Sequence, residues 1–314
     1  MGFARSALEG LQSRVVTIEQ FSPPNAEQVE AHLQSHRLRG PSRMMAWLPL
    51  ILMVVVLALW SKWPALWLGP WLVLFILLMA ANLRARSIQR MERLTQQAQG
   101  LALFRRYPDS LRVAWRSLPT LVSAAPLHRQ AVACIAHNLD ELSAYAAAIV
   151  AYDYLIDNLP AGEPLAVEYQ IHRATALIAV DRLTDADEAL RRLRHAVSGI
   201  EHGGIGAAYR LARLAQQVRT GHYDAAVEDA ESLFNTLRPL GIRAGYGHAL
   251  AAFSYHQLGR FKQADTLSHV DLWWSRATLL LTPQAIVQRF PDLEPMLGAA
   301  VHSDSAVPPP MEQA

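Results

Sequence analysis

The sequence predicts an all-α fold in which a transmembrane helical hairpin precedes a solenoid of helix–turn–helix repeats. Three observations carry that expectation. Between Arg43 and Arg84 the only charged residue is Lys62, so one apolar block interrupts an otherwise mixed chain. From about Pro108 onward Leu, Ala and Arg dominate, and runs of β-branched residues with period-2 alternation are missing. Turn-forming residues then recur at intervals near forty, the mark of stacked repeats.

Residues 1–43 form an N-terminal arm that reads as two short helices. Ala7, Leu8, Leu11, Val15 and Ile18 recur at helical spacing and give the first an apolar stripe. Ser22-Pro23-Pro24-Asn25 breaks the chain, and Asn25 with Gln28 forms a capping pair for a second helix through Val29 and Leu33. His32 and His36 are four apart and share a helix face, but no third ligand lies near them in sequence. A solvated or packing role is expected of that pair.

Residues 44–83 read as the two-helix hairpin. Met44 to Trp60 and Pro64 to Leu83 are uncharged runs of 17 and 20 residues. As helices they extend about 25 and about 30 Å, against a hydrocarbon core of roughly 30 Å. Trp47, Trp60, Trp63, Trp67 and Trp71 cluster at the ends of the runs, where an amphipathic ring favours a headgroup layer. Arg43 precedes the first run, and Arg84 and Arg86 follow the second. By the positive-inside rule the hairpin is expected in the cell (inner) membrane, multi-pass, with both termini cytoplasmic. Residues 84–125 are then a basic juxtamembrane helical segment. Over 84–129, nine arginines face only Glu92 and Asp109.

Residues 126–300 carry the repeats, with a net charge of −5 over 130–300. Breaks fall at Pro126, around Asp140, at Pro160–Pro164, Asp181, Gly203–Gly206, Gly221, Gly241 and Gly259. Four junctions align, beginning at Glu141, Asp181, Gly221 and Gly259 and ending on Ala146, Ala186, Ala226 and Ala264. A turn residue lets the chain reverse, a larger side chain two later fills the gap between paired helices, and the alanine lets their backbones approach. Twelve residues before each alanine lie Cys134, Ala174, Leu214 and Ala252. The tail 301–314, with Pro308-Pro309-Pro310, is expected to be disordered.

The segments Thr220-Gly-His-Tyr-Asp-Ala-Ala226 and Leu258-Gly-Arg-Phe-Lys-Gln-Ala264 resemble the glycine–aromatic–alanine turn of the tetratricopeptide repeat (TPR) family. The period near 40 exceeds that family's usual 34, and the first copy, with Glu141 and Ser143, departs from its pattern. The resemblance implies a TPR-like α-solenoid whose first helices line a groove for a peptide or a partner helix. On that alignment the groove-facing residues are Glu168, Thr175, Tyr246, Phe253, His256 and Gln257.

No nucleophile elbow, P-loop or His-Glu-x-x-His motif is present. Gly203–Gly206 and Gly241–Gly247 do not follow strands and read as inter-helix turns. The acidic group Asp181, Asp185, Asp187 and Glu188 opens a helix, where the dipole favours carboxylates. One cysteine, Cys134, excludes an internal disulfide and a Cys-based zinc site. The basic segment lacks the aromatic interleaving of single-strand binders, so no nucleic acid is expected. The expected function is therefore that of a membrane-anchored scaffold binding protein partners through a cytoplasmic repeat domain, with the lipid bilayer as a second contact. No enzyme activity, cofactor or metal is expected. Alternatives are a structural subunit of a membrane complex, held chiefly by the hairpin, and, less favoured, an enzyme with an unfamiliar site.

Overall fold

The computed structural model describes residues 21–38, 54, 69–160, 162–198, 203–228, 235–237, 239–240, 244–268 and 283–296. Every element among them is helical. The helices are α1 (Ala26–Ser35), α2 (Gly69–Leu103), α3 (Tyr107–Leu121), α4 (Ala125–Glu141), α5 (Tyr145–Asp157) and α6 (Leu165–Ala179). There follow α7 (Leu183–Val197), α8 (Gly204–Arg219), α9 (Tyr223–Val227), α10 (Ala244–Gln257), α11 (Phe261–Ser268) and α12 (Pro283–Arg289), then a 3-10 turn at Pro291–Leu293. The chain divides into two compact units, Met1–Ala144 and Tyr145–Ala314.

One turn geometry recurs along the chain. Arg105, Ser143, Asp181, Gly221 and Gly259 all have left-handed φ, between 58° and 77°, at successive spacings of 38, 38, 40 and 38 residues. At each, the left-handed residue's amide donates three residues back and the next amide donates five back. The first of these turns pairs Arg105 N–H with the Ala102 carbonyl and Arg106 N–H with that of Leu101, both at 2.9 Å. This is the Schellman ending, which satisfies helix carbonyls that would otherwise be orphaned. A new helix opens two residues later, on Tyr107, Tyr145, Leu183, Tyr223 or Phe261.

The alignment of the first junction is corrected by this geometry. Its turn residue is Ser143 rather than Glu141, its large side chain is Tyr145, and its small residue is Ala148. Arg105, Tyr107 and Ser110 form a further copy that the sequence alignment passed over. In the corrected register the small residues are Ser110, Ala148, Ala186, Ala226 and Ala264, and those twelve earlier are Ala98, Ala136, Ala174, Leu214 and Ala252. All ten are buried. Close approach is visible at the first pair, where Ser110 Oγ donates to the Ala98 carbonyl at 2.7 Å.

A left-handed φ costs an L-residue about 1–2 kcal/mol but costs glycine nothing. Arg105→Gly is therefore expected to stabilise the first unit by about 0.5–1 kcal/mol once glycine's greater unfolded-state freedom is counted. Gly221→Val should destabilise the second unit by about 1–2 kcal/mol. Urea melts of the two variants, compared with the parent chain, check both signs.

In the first unit α3 packs against α2 and α4, and α4 also contacts α2. Helix α1 joins them through Val29 and Leu33, both buried. Its start is the expected capping box. Gln28 N–H donates to Asn25 Oδ1 at 2.8 Å, and Asn25 N–H donates to Gln28 Oε1 at 3.0 Å.

The transmembrane hairpin is not what this structure contains. Among the described residues no helix is long and apolar enough to cross a membrane. The second apolar run does not end at Leu83. It continues without a break through Arg84, Arg86, Arg90 and Arg93 to Leu103 as one helix of 35 residues. From Gly69 to Leu83 the uncharged stretch of that helix extends only about 22 Å. Its far end is a packing element, with Thr95 and Ala98 each 1% exposed. The boundary drawn at 83/84 thus separates two halves of one helix, and the multi-pass inner-membrane location with cytoplasmic termini is withdrawn with the hairpin. The first run, apart from Val54, lies outside the described residues, as do the stripe from Ala7 to Ile18, Trp47, Trp60, Trp63, Trp67, Arg43 and the 301–314 tail.

In the second unit the first helices of successive hairpins lie side by side, α6 against α8 and α8 against α10. Their partners α7, α9 and α11 each pack on the hairpin they close, and α5 packs on α6. The core between them is continuous, running from Ile149 and Leu177 through Leu190 and Leu214 to Leu250, Ile286 and Leu293. Pro283 opens α12 and Pro291 follows its end.

Candidate functional site

The row of first helices leaves a small cleft of about 40 Å³ in the second unit. Helix α6 contributes Ile171, His172 and Thr175, and α8 contributes Ala208, Leu211 and Ala215. Leu240 and Tyr246 line the next stretch, and Arg289 and Phe290, at the end of α12, close one side. The walls are apolar because α8 turns the stripe Ala208, Leu211, Ala215, spaced three and four apart, toward the opening.

The polar groups in the cleft are held by neighbours. Thr175 Oγ1 donates to the Ile171 carbonyl at 3.0 Å, leaving its methyl and one lone-pair side for a ligand. His172 stacks on Tyr152, with ring centroids 5.7 Å apart and planes 10° from parallel. Its Nε2 is 3.9 Å from Glu168 Oε1, one helical turn earlier. Arg289 lies over the Tyr246 ring at 5.6 Å, and Phe290 meets the same ring edge-on at 5.7 Å. Such a lining suits an apolar side chain with a few orienting polar contacts.

Of the six groove residues named from sequence, Thr175 and Tyr246 line this cleft, and Glu168 stands beside it through His172. Phe253 does not face it. That ring is 6% exposed and packs edge-on against Tyr223 of α9 at 6.0 Å, between successive hairpins. His256 meets Phe261 at 5.2 Å by the last turn, and Gln257 is exposed next to it. Both lie away from the cleft because α10 carries them past it at its C-terminal end. Sequence reasoning missed Ile171, His172, Leu211, Leu240, Arg289 and Phe290. The spacing of Ala208, Leu211 and Ala215 was a usable signal for α8. Nothing local marked Arg289 and Phe290, which arrive from the far end of the chain.

The acidic group at the start of α7 is structural. Asp185 accepts from Arg182 Nε at 2.7 Å, Asp187 accepts from Gln216 at 3.1 Å, Glu188 pairs with Arg192, and Asp181 accepts from Arg219 at 2.8 Å. Of the two roles left open for the His32/His36 pair, the structure shows packing. His32 stacks on Trp115 with centroids 4.0 Å apart, and burial holds its pKa below the ordinary histidine value. Cys134 is buried beside Ser110 and Asn138, whose Nδ2 donates to Ser110 Oγ at 2.8 Å. Burial pushes the thiol pKa up, the environment of a cysteine packed in a core. Among the described residues no three His, Cys, Asp or Glu side chains are grouped to hold a metal.

One other surface stands out. Trp71, Leu74, Phe75, Leu78, Met79 and Leu83 on α2 are each between 47% and 66% exposed, and Arg84 and Arg86 follow them in the open. An apolar face of this extent marks a contact surface.

No protein family, curated protein or solved structure matches this chain.

Proposed function

We propose that this chain is a helical-repeat adaptor of the tetratricopeptide kind that holds a protein partner in the cleft of its second unit. The observation that carries the reading is the cleft itself, walled by the first helices of consecutive hairpins. Repeat domains of stacked hairpins use that surface for peptides and helices. The recurrent Schellman turn with its buried small-residue pair supports the repeat reading, since it reproduces one packing unit at near-constant spacing. The apolar lining favours side-chain recognition over chemistry at a bond.

Site-specific photo-crosslinking in the full chain tests this. A benzoylphenylalanine at Leu211 or Thr175 should capture a discrete protein, and one at exposed Arg192 on the outer helix α7 should not. Capture of the same species from all three positions, or from Arg192 alone, would overturn the assignment of the cleft.

A further inference from the structure

Among the described residues, helix α1 is tied to the first unit chiefly through histidines. Ten residues long, it buries only Val29 and Leu33, and a helix of that length has little stability of its own in water. Its last turn carries the polar ties. His32 stacks on Trp115 of α3, and its Nε2 donates to the Trp115 carbonyl at 3.2 Å. His128 of α4, 0% exposed, donates from Nε2 to the His36 carbonyl at 2.9 Å. That carbonyl sits at the C-cap of α1, one of the groups a helix end leaves to be satisfied from outside. His36 turns its own Nδ1 back to the His32 carbonyl at 2.9 Å, with the two rings 4.5 Å apart. A carbonyl only accepts, so each of these three nitrogens carries a proton, and one proton per ring makes all three bonds. A second proton on any ring brings a charge.

The seam is poorly suited to that charge. The charges that bear on His32 and His128 are those of His36 on α1 and Arg129 on α4, one a cation and the other able to become one. From α3, Trp115 meets His32 with its ring and carbonyl, Arg112 is taken by Asp109 and the Phe21 ring, and Arg116 is exposed. On α1, Glu27 and Glu30 are exposed, and Glu30 accepts from Gln34 at 2.8 Å. Burial holds His32 and His128 below the ordinary histidine value, outweighing the carbonyls that would raise them. Protonation therefore sets like charges side by side where water is partly excluded.

We propose that α1 is an acid-released strap, docked on α3 and α4 at neutral pH through His32 and His128 and detached when those rings take up protons, while α3 and α4 stay packed. Above about pH 6.5 neither the docked nor the released helix is protonated at these rings, and the strap stays down. Below that the released state gains its protons first. Docking then weakens by up to about tenfold per pH unit for each ring, so by up to about a hundredfold for the two together. The strap lets go before the unit does because α3 packs against both α2 and α4, whereas α1 rests on two apolar side chains and its histidines. The device lies within the first unit and does not depend on the cleft of the second.

Amide exchange of the full chain, read by mass spectrometry and corrected for the intrinsic pH dependence of exchange, tests this. Between pH 7 and pH 5 the protection of α1 should fall by about tenfold or more while α3 and α4 keep theirs. Glutamine places an amide N–H near the position of the ring Nε2–H and cannot be charged. His32→Gln combined with His128→Gln should therefore keep α1 docked and remove the pH dependence. If the pair of changes undocks α1 already at pH 7, His128→Gln alone is read, and it should roughly halve the logarithm of the loss. Unchanged protection of α1 at pH 5, loss in step with α3 and α4, or a loss of the parent's size in the glutamine variants overturns the proposal.

Discussion

Replacing Leu177 by alanine is expected to lower the stability of the second unit by about 2–5 kcal/mol. Leu177 is 0% exposed in α6, within the core shared by α7 and α8. Truncation removes its transfer free energy and leaves a cavity that packed helices refill only incompletely. The opposite change next to it should also hurt. Ala174 is 0% exposed and is the small residue that pairs with Ala186 across the α6–α7 hairpin in the repeat register. Leucine there must push the paired backbones apart and should cost about 1–3 kcal/mol. For a unit of this size each kcal/mol lowers the melting temperature by roughly 2–4 °C. Calorimetry of the full chain should show the second-unit transition falling by on the order of 10 °C in Leu177→Ala and by less in Ala174→Leu. Loss in one variant but not the other would mean that the hairpin interface is looser than its burial indicates.

Acid should weaken the second unit well above the carboxylate range. His248 on α10 is 6% exposed, and burial pushes its pKa from 6.5 down to about 4. The folded form therefore binds its proton later than the unfolded form as pH falls. Above pH 6.5 neither state is protonated there and the group contributes no pH dependence. As pH drops from 6.5 to about 4 the unfolded chain gains the proton first, and stability is lost over that window. The full shift corresponds to on the order of 3 kcal/mol, of which about 2 should be gone by pH 5, before most aspartates titrate. Urea midpoints measured at pH 7 and pH 5 should differ accordingly, and His248→Leu should flatten the difference. Burial lowers His128 in the first unit as well, so its loss with acid has the same sign. An identical midpoint for the second unit at both pH values would contradict the buried, neutral state of His248.

How far the sequence could be read is clearest at the turns. Gly221 and Gly259 declare a left-handed residue by type, and the aromatic two positions later made those junctions plain. Asp181 was found because aspartate tolerates that conformation. Ser143 and Arg105 were misread or missed, since neither residue type advertises a positive φ. Only the backbone shows that all five share one hydrogen-bond pattern. The same limit explains the groove. Thr175 and Tyr246 followed from repeat register, whereas Phe253 shares their helix-face logic but turns inward because Tyr223 offers it an aromatic partner.

What the sequence determined by itself was local: all-helical structure, the Asn25 capping box and the glycine turns. These depend on backbone propensity and on contacts a few residues apart. It also marked 64–83 as apolar, but apolarity does not say where a helix ends. Only the tertiary structure showed that this run continues to Leu103, because burial of Thr95 and Ala98 against α3 and α4 extends the helix past the arginines. Tertiary structure alone also brought Arg289, Phe290 and Asp292 back to Tyr246 and Arg219. Those contacts join residues 43 to 73 positions apart, and no short-range pattern encodes a pairing that exists only once the hairpins have stacked.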